Sequence, residues 1–157
     1  MGVIVQSVKI GRRSITPILS DDCLPVMITS DSRNNKKYLK VLQWNIWHGG
    51  KHLGKDGRER IIDLIKQSGA DVVTMQEGYG SQEMIAKAIG FNLQTPSPGD
   101  NLCLFSRYPI QKIKTKNTFY SNPAIITLPS GKKVYVNACW LRYAYRPEYT
   151  CYYANYG

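Results

Sequence analysis

Apolar residues along this chain fall into short runs whose period changes several times. LKVLQWNI, residues 39–46, carries apolar side chains at both odd and even positions, the pattern of a strand covered on both faces. The glycine-rich stretch HGGKHLGKDG follows and reads as a loop. RERIIDLIKQSG then sets Ile61, Ile62, Leu64 and Ile65 along one side of a predicted helix, with Gly69 placed to end it. ADVVTMQE is a second short apolar strand. Strand, helix and strand at this spacing predict a βαβ crossover, so the two strands should run parallel as neighbours.

Further on, SQEMIAKAIG predicts a second helix, with Ser81 as its N-cap and Gly90 as its stop. FNLQT, DNLCLFS, NPAIITL and KKVYVNACWL read as strands, and PSGKK marks an antiparallel hairpin between the last two. Residues 1–38 have a different texture. VIVQSVKI and LPVMITS are strand-like, but Gly11, Pro17 and the Asp-Asp at 21–22 interrupt them, and SDSRNNKK has linker composition. The expected division is a β-rich segment, or the tail of a preceding domain, over 1–38 and one α/β (α+β) domain over 39–157. From Arg142 onward six tyrosines fall within sixteen residues with little periodicity.

Composition narrows the class. At 157 residues, with 43% hydrophobic and 20% charged residues, the chain suits one soluble globular domain with a substantial core. No apolar run approaches the roughly 20 residues that span a bilayer, so no membrane span is expected. MGVIVQSVKIGRR lacks the apolar core and small-residue cleavage site of a signal peptide, and Gln6 stands where a myristoylation motif wants Ser or Thr. A cytoplasmic protein is expected if Met1 is the native start; otherwise an export signal lies upstream. Cys23, Cys103, Cys139 and Cys151 form no CxxC pair, which argues against zinc and for free, mostly buried thiols. A net charge of +10 points to a polyanionic partner such as nucleic acid, a phosphorylated substrate or an anionic surface. The lysines of NNKKYLK, QKIKTK and SGKK taken singly are explained as solvated turns and strand faces.

Two polar residues sit where the apolar strands end. Asn45 closes the first strand and Glu77 the second. Asn and Glu are common at strand ends because the chain turns to water there. If the strands are parallel neighbours, however, both side chains emerge at the carboxyl edge of one sheet, where open α/β sheets place ligands. A carboxylate and an amide are hard oxygen donors that suit Mg²⁺ or Mn²⁺, with water completing the octahedron. HGGKHLGK could hold phosphate oxygens beside such an ion.

LKVLQWNIWHGG followed by ADVVTMQEGYG resembles the paired opening motifs of the endonuclease/exonuclease/phosphatase superfamily, the deoxyribonuclease I-like fold. NLCLFSRYPI resembles its third landmark, and order and spacing agree over roughly residues 39 to 140. The resemblance implies a four-layer α/β sandwich and divalent-metal-dependent hydrolysis of a phosphoester, acting as phosphodiesterase, nuclease or phosphatase. Carried onto this chain, it makes Glu77 the direct metal ligand. Asn45 would position a metal water or a phosphate oxygen, and Gln76 would support them. His48 and His52 are candidate acid–base groups, His48 joining Asn45 as the catalytic expectation. Arg107 is expected either to brace the fold or to contact substrate phosphate, and Tyr108 and Pro109 to pack.

The sequence also departs from the family pattern. The strand that commonly reads Asn-Thr-His-Leu is VYVNACWLRY here, with Cys139 or Trp140 at the histidine. The later Gly-Asp-Phe-Asn and Ser-Asp-His segments have no counterpart. These departures allow a fragment, a domain completed by another chain, or a diverged protein without catalysis; a fragment is expected, inactive in isolation. Half of such a sandwich would leave an apolar sheet face open to association. The alternative is a non-catalytic basic module whose three tryptophans and eleven tyrosines bind nucleic acid or carbohydrate by stacking.

Overall fold

The computed structural model describes residues 3–9 and 38–140. Cys23, Cys151, the LPVMITS run and the tyrosine-rich segment from Arg142 lie outside the described residues. The elements are β1 (Val3–Lys9), β2 (Tyr38–Asn45), a short 3-10 segment (His48–Leu53), α1 (Gly57–Ser68), β3 (Val72–Gln76) and α2 (Gln82–Ile89). They continue with β4 (Asn92–Gln94), β5 (Cys103–Ser106), β6 (Ile110–Lys112), β7 (Ser121–Thr127) and β8 (Lys133–Cys139). One sheet has five strands in the order β1-β2-β3-β5-β4, and a second has three in the order β6-β7-β8.

The βαβ unit forms as its spacing predicts. β2 and β3 are parallel neighbours, with Val41 opposite Val72 and Asn45 opposite Gln76. β1 adds antiparallel to the outer side of β2. Both helices end on left-handed glycines, Gly69 (φ 61°) and Gly90 (φ 71°), where any side chain would be strained. PSGKK joins β7 to β8 as the expected hairpin. β6 is an addition: only three residues long, it begins at Ile110, the last residue of SRYPI, and pairs antiparallel with β7.

Strand alternation divides the apolar residues into two layers. Leu42, Trp44, Ile46, Val73, Met75, Cys103 and Phe105 face the helices and pack with Ile61, Ile65, Ile85 and Ala86. Leu39, Val72 and Leu104 face the other way, onto Ala124, Ile126 and Leu128 of the second sheet. Burial on both faces explains why β2 and β3 lack simple alternation in sequence. The second sheet thus packs on the face of the first that lies away from the helices.

Three local expectations are corrected. Leu64 is 40% exposed. It and Ile62 each lie about 80° round the helix from the Ile61–Ile65 stripe, and only Ile62 meets the core. Ser81 makes no side-chain cap; its hydroxyl donates instead to the Gly78 carbonyl, at 2.6 Å. Cys139 is exposed, whereas Cys103 is buried and its thiol is held well above the usual range by that burial.

Candidate active site

Asn45 and Glu77 meet. The Asn45 amide donates from Nδ2 to Glu77 Oε1 at 2.9 Å, while the His48 backbone N–H donates to Oε2, also at 2.9 Å. Both oxygens of one carboxylate are therefore oriented by groups from β2 and the loop after it. Asn45 Oδ1 accepts the Trp47 N–H at 2.9 Å, closing an Asx turn that starts this loop. The Glu77 side chain is 14% exposed, so its charge sits at the surface of a largely dry edge.

The backbone around these groups is strained. Among the described residues four non-glycines have positive φ, Trp47 (50°), His48 (50°), Glu77 (59°) and Tyr79 (34°), and all belong to the two loops that follow β2 and β3. Such conformations cost of order 1–3 kcal/mol each and persist where neighbours over-determine them. Gly49 (φ 67°) and Gly50 (φ 76°) continue the left-handed path. A Cβ on Gly49 would stand 2.9 Å from the Gly78 carbonyl oxygen, so the paired glycines bring the two loops together. The Gly49 N–H then donates to the Glu77 carbonyl at 2.7 Å.

The site has an aromatic rim. Trp47, half exposed, stacks on His52 with centroids 4.4 Å apart, and His48 lies between His52 (5.2 Å, edge-on) and Tyr79 (5.7 Å, stacked). The His48 side chain is exposed, with Nε2 4.0 Å from Glu77 Oε2. Burial, and then the Glu77 carboxylate, push the Tyr79 phenol above its ordinary range, so it stays a neutral donor.

Not every expected residue arrives here. Gln76 points between the sheets, accepting from Gln43 Nε2 (3.2 Å) and donating to the Cys139 carbonyl (3.1 Å). It ties β3 to β8 without touching Glu77. β8 therefore ends close by, with Cys139 or Trp140 at the position the resemblance gives to histidine. Arg107 belongs to the opposite end of the sheet. Its Nε lies 3.6 Å from Asp71 Oδ1, Nη2 reaches the Ala70 carbonyl at 3.4 Å, and the guanidinium covers the Phe91 ring at 4.9 Å. Asp71 precedes β3 and Glu77 follows it, a span of roughly 20 Å at the usual rise of a strand. These contacts make Arg107 a brace between the start of β3 and Phe91.

Asn101 is a residue that sequence reasoning missed. It is 3% exposed, and its Oδ1 accepts the Glu77 backbone N–H at 2.7 Å. A lone Asn before a strand gives no sign of this; only pairing β5 antiparallel to β3 places it there.

The sequence matches the Endonuclease/Exonuclease/phosphatase family over residues 42–155. The chain belongs to that family. Comparison with curated proteins and with solved structures returns no match. The family is one of phosphoester hydrolases whose members generally use divalent metals. Its two-sheet α/β architecture is the one seen here.

The donor set fits a hard ion held loosely. Among the described residues no three His, Cys, Asp or Glu side chains converge as a metal cluster. Mg²⁺ needs fewer protein ligands: it keeps several waters and binds through one or two carboxylates and substrate phosphate. A carboxylate offers about four acceptor positions, and the two hydrogen bonds given to Glu77 leave room for an ion. Asn45 Oδ1 accepts from Trp47 and its Nδ2 donates to Glu77. Asn45 orients the carboxylate.

Proposed function

We propose that this chain is a divalent-metal-dependent phosphoester hydrolase, acting on a phosphodiester or phosphomonoester with Mg²⁺ or Mn²⁺ at Glu77. The observation that carries the reading is the doubly oriented Glu77 carboxylate at the carboxyl edge of β2 and β3. When bound, the ion supplies neutralisation of the charge that develops on the phosphate. Glu77 binds it, Asn45 and the His48 N–H fix the direction of the carboxylate, and a remaining Asn45 lone pair is free for a bound water. The exposed His48 imidazole is the group placed to move a proton at the mouth. Lys51 and Lys55, exposed in the same loop, add positive charge that draws an anionic substrate.

The 157 residues contain no Gly-Asp-Phe-Asn or Ser-Asp-His segment. Calorimetric Mn²⁺ titration tests the reading directly: Glu77→Ala should weaken binding about 10-fold or more. Superimposable titrations of wild type and variant would sink it. The basic, aromatic-rich binding module is the second reading, favoured by the half-exposed Trp47 stacked on His52. It predicts oligonucleotide affinity that falls with salt and ignores divalent metal.

A further inference from the structure

We infer that Asn101 is a positioning residue for the metal-binding carboxylate, acting through the backbone of Glu77; the inference rests on the reading of Glu77 given above. Glu77 carries a left-handed backbone at φ 59°, which a side-chain-bearing residue adopts only under constraint. The constraint comes from the segment before β5. Asn101 Oδ1 accepts the Glu77 N–H at 2.7 Å, the Asn101 carbonyl accepts the Gly78 N–H at 3.0 Å, and the Asp100 carbonyl accepts the Tyr79 N–H at 3.3 Å. Gln82, fully buried, fastens the same two segments, donating from Nε2 to the Asp100 carbonyl and accepting the Gly80 N–H, each at 2.7 Å.

The Asn101 side chain has a particular place in this clamp. The others are backbone-to-backbone bonds, or bonds to the turn beyond. Asn101 Oδ1 holds the N–H side of the peptide between Gln76 and Glu77, whose carbonyl accepts the Ile46 N–H at 3.1 Å, where the chain leaves the extended strand for the left-handed turn. The direction of that peptide plane sets the Cα–Cβ bond of Glu77, and with it where the carboxylate points. Asn101 keeps this bond while its own Nδ2 is buried with no hydrogen-bond partner among the described residues. A buried orphan donor is ordinarily unfavourable. At a 3% exposed position asparagine leaves one amide donor unpaired and supplies one short bond to the backbone of Glu77.

The consequence reaches the loop after β2. Glu77 Oε2 accepts the His48 N–H only while the carboxylate points across from β3. Protection of the His48 amide from hydrogen exchange therefore reports the carboxylate's direction without any metal present.

The test uses the intact chain and compares wild type, Asn101→Leu, Asn101→Asp and Glu77→Ala, with Ile65→Val as a stability control. Leu fills similar space without an acceptor, and Asp keeps an acceptor oxygen at the same reach. Asn101→Leu should speed His48 amide exchange and weaken Mn²⁺ binding about 10-fold, in line with substitutions behind a metal ligand. Asn101→Asp should restore the protection. Ile65→Val should lower the melting temperature and leave both readouts alone. Normal His48 protection and normal Mn²⁺ affinity in Asn101→Leu would overturn the inference, as would equal losses in Ile65→Val. If Asn101→Leu fails to fold, Asn101→Asp decides: faster His48 exchange in a folded Asp variant counts against the acceptor role. Should Glu77→Ala bind Mn²⁺ like wild type while Asn101→Leu still frees the His48 amide, the positioning stands and the metal reading falls.

Discussion

The two ends of β3 carry the same kinds of side chain and do opposite work. At its start, Asp71 is 2% exposed at the side chain. It accepts the Lys40 N–H at Oδ2 (3.1 Å) and the Tyr108 hydroxyl at Oδ1 (3.2 Å), with Arg107 alongside. At its finish, Glu77 accepts from Asn45 and His48, but on a left-handed backbone and beside exposed rings. One carboxylate is embedded in regular structure and serves the fold. The other is held by residues that are themselves strained. A carboxylate that merely stabilised would not need four left-handed non-glycine residues around it; strain concentrated at one edge is a mark of pre-organisation.

The largest expected effect lies at the supporting end. Asp71→Ala should lower unfolding free energy by about 3 kcal/mol, because it strands a buried N–H and a phenolic hydroxyl. Mn²⁺ affinity should stay at the wild-type value. Urea unfolding followed by tryptophan fluorescence measures the first, titration of the folded variant the second. Loss of metal binding in the folded Asp71→Ala chain would break the separation of the two ends.

Next in size is Gly49→Ala, at the working end. The new Cβ would meet the Gly78 carbonyl oxygen at 2.9 Å and sit on a φ of 67°. The cost should be about 2 kcal/mol. Unlike Asp71→Ala, it should also weaken Mn²⁺ binding, since pushing the loops apart separates the His48 N–H from Glu77. An Ala variant with intact metal affinity would show that the loop contact serves folding alone.

How much of this could be read from the sequence follows from the range of each interaction. The crossover was legible because its apolar runs, its helix stripe and Gly69 are local signals. Asn45 and Glu77 were legible as a pair because parallel pairing puts two strand ends at one edge. The place of Arg107 was hidden: SRYPI sits at the end of β5, and an antiparallel β5 finishes where β3 begins. The same reversal hid Asn101, which stands at the start of β5 and so beside the end of β3. β6 was too short to leave a periodic signal. The Asn45 hydrogen bonds depended on backbone angles at Trp47 and His48 that their residue types do not encode.

Arg107 gives the smallest and most diagnostic expectation. Its contact with Asp71 is an ion pair at 3.6 Å with the arginine side chain half exposed, so the pair contributes modestly. Arg107→Ala should cost about 1 kcal/mol or less, part of it from uncovering Phe91. Asp71 would keep its bonds from Lys40 and Tyr108, and the backbone bond from the Arg107 N–H to the Asp71 carbonyl (2.9 Å) survives any side chain. Neither Mn²⁺ binding nor the affinity for a model phosphodiester should change. A variant of near-normal stability that bound the phosphodiester several-fold more weakly would place Arg107 in the substrate's path. The amino end of β3 would then have to count as part of the site.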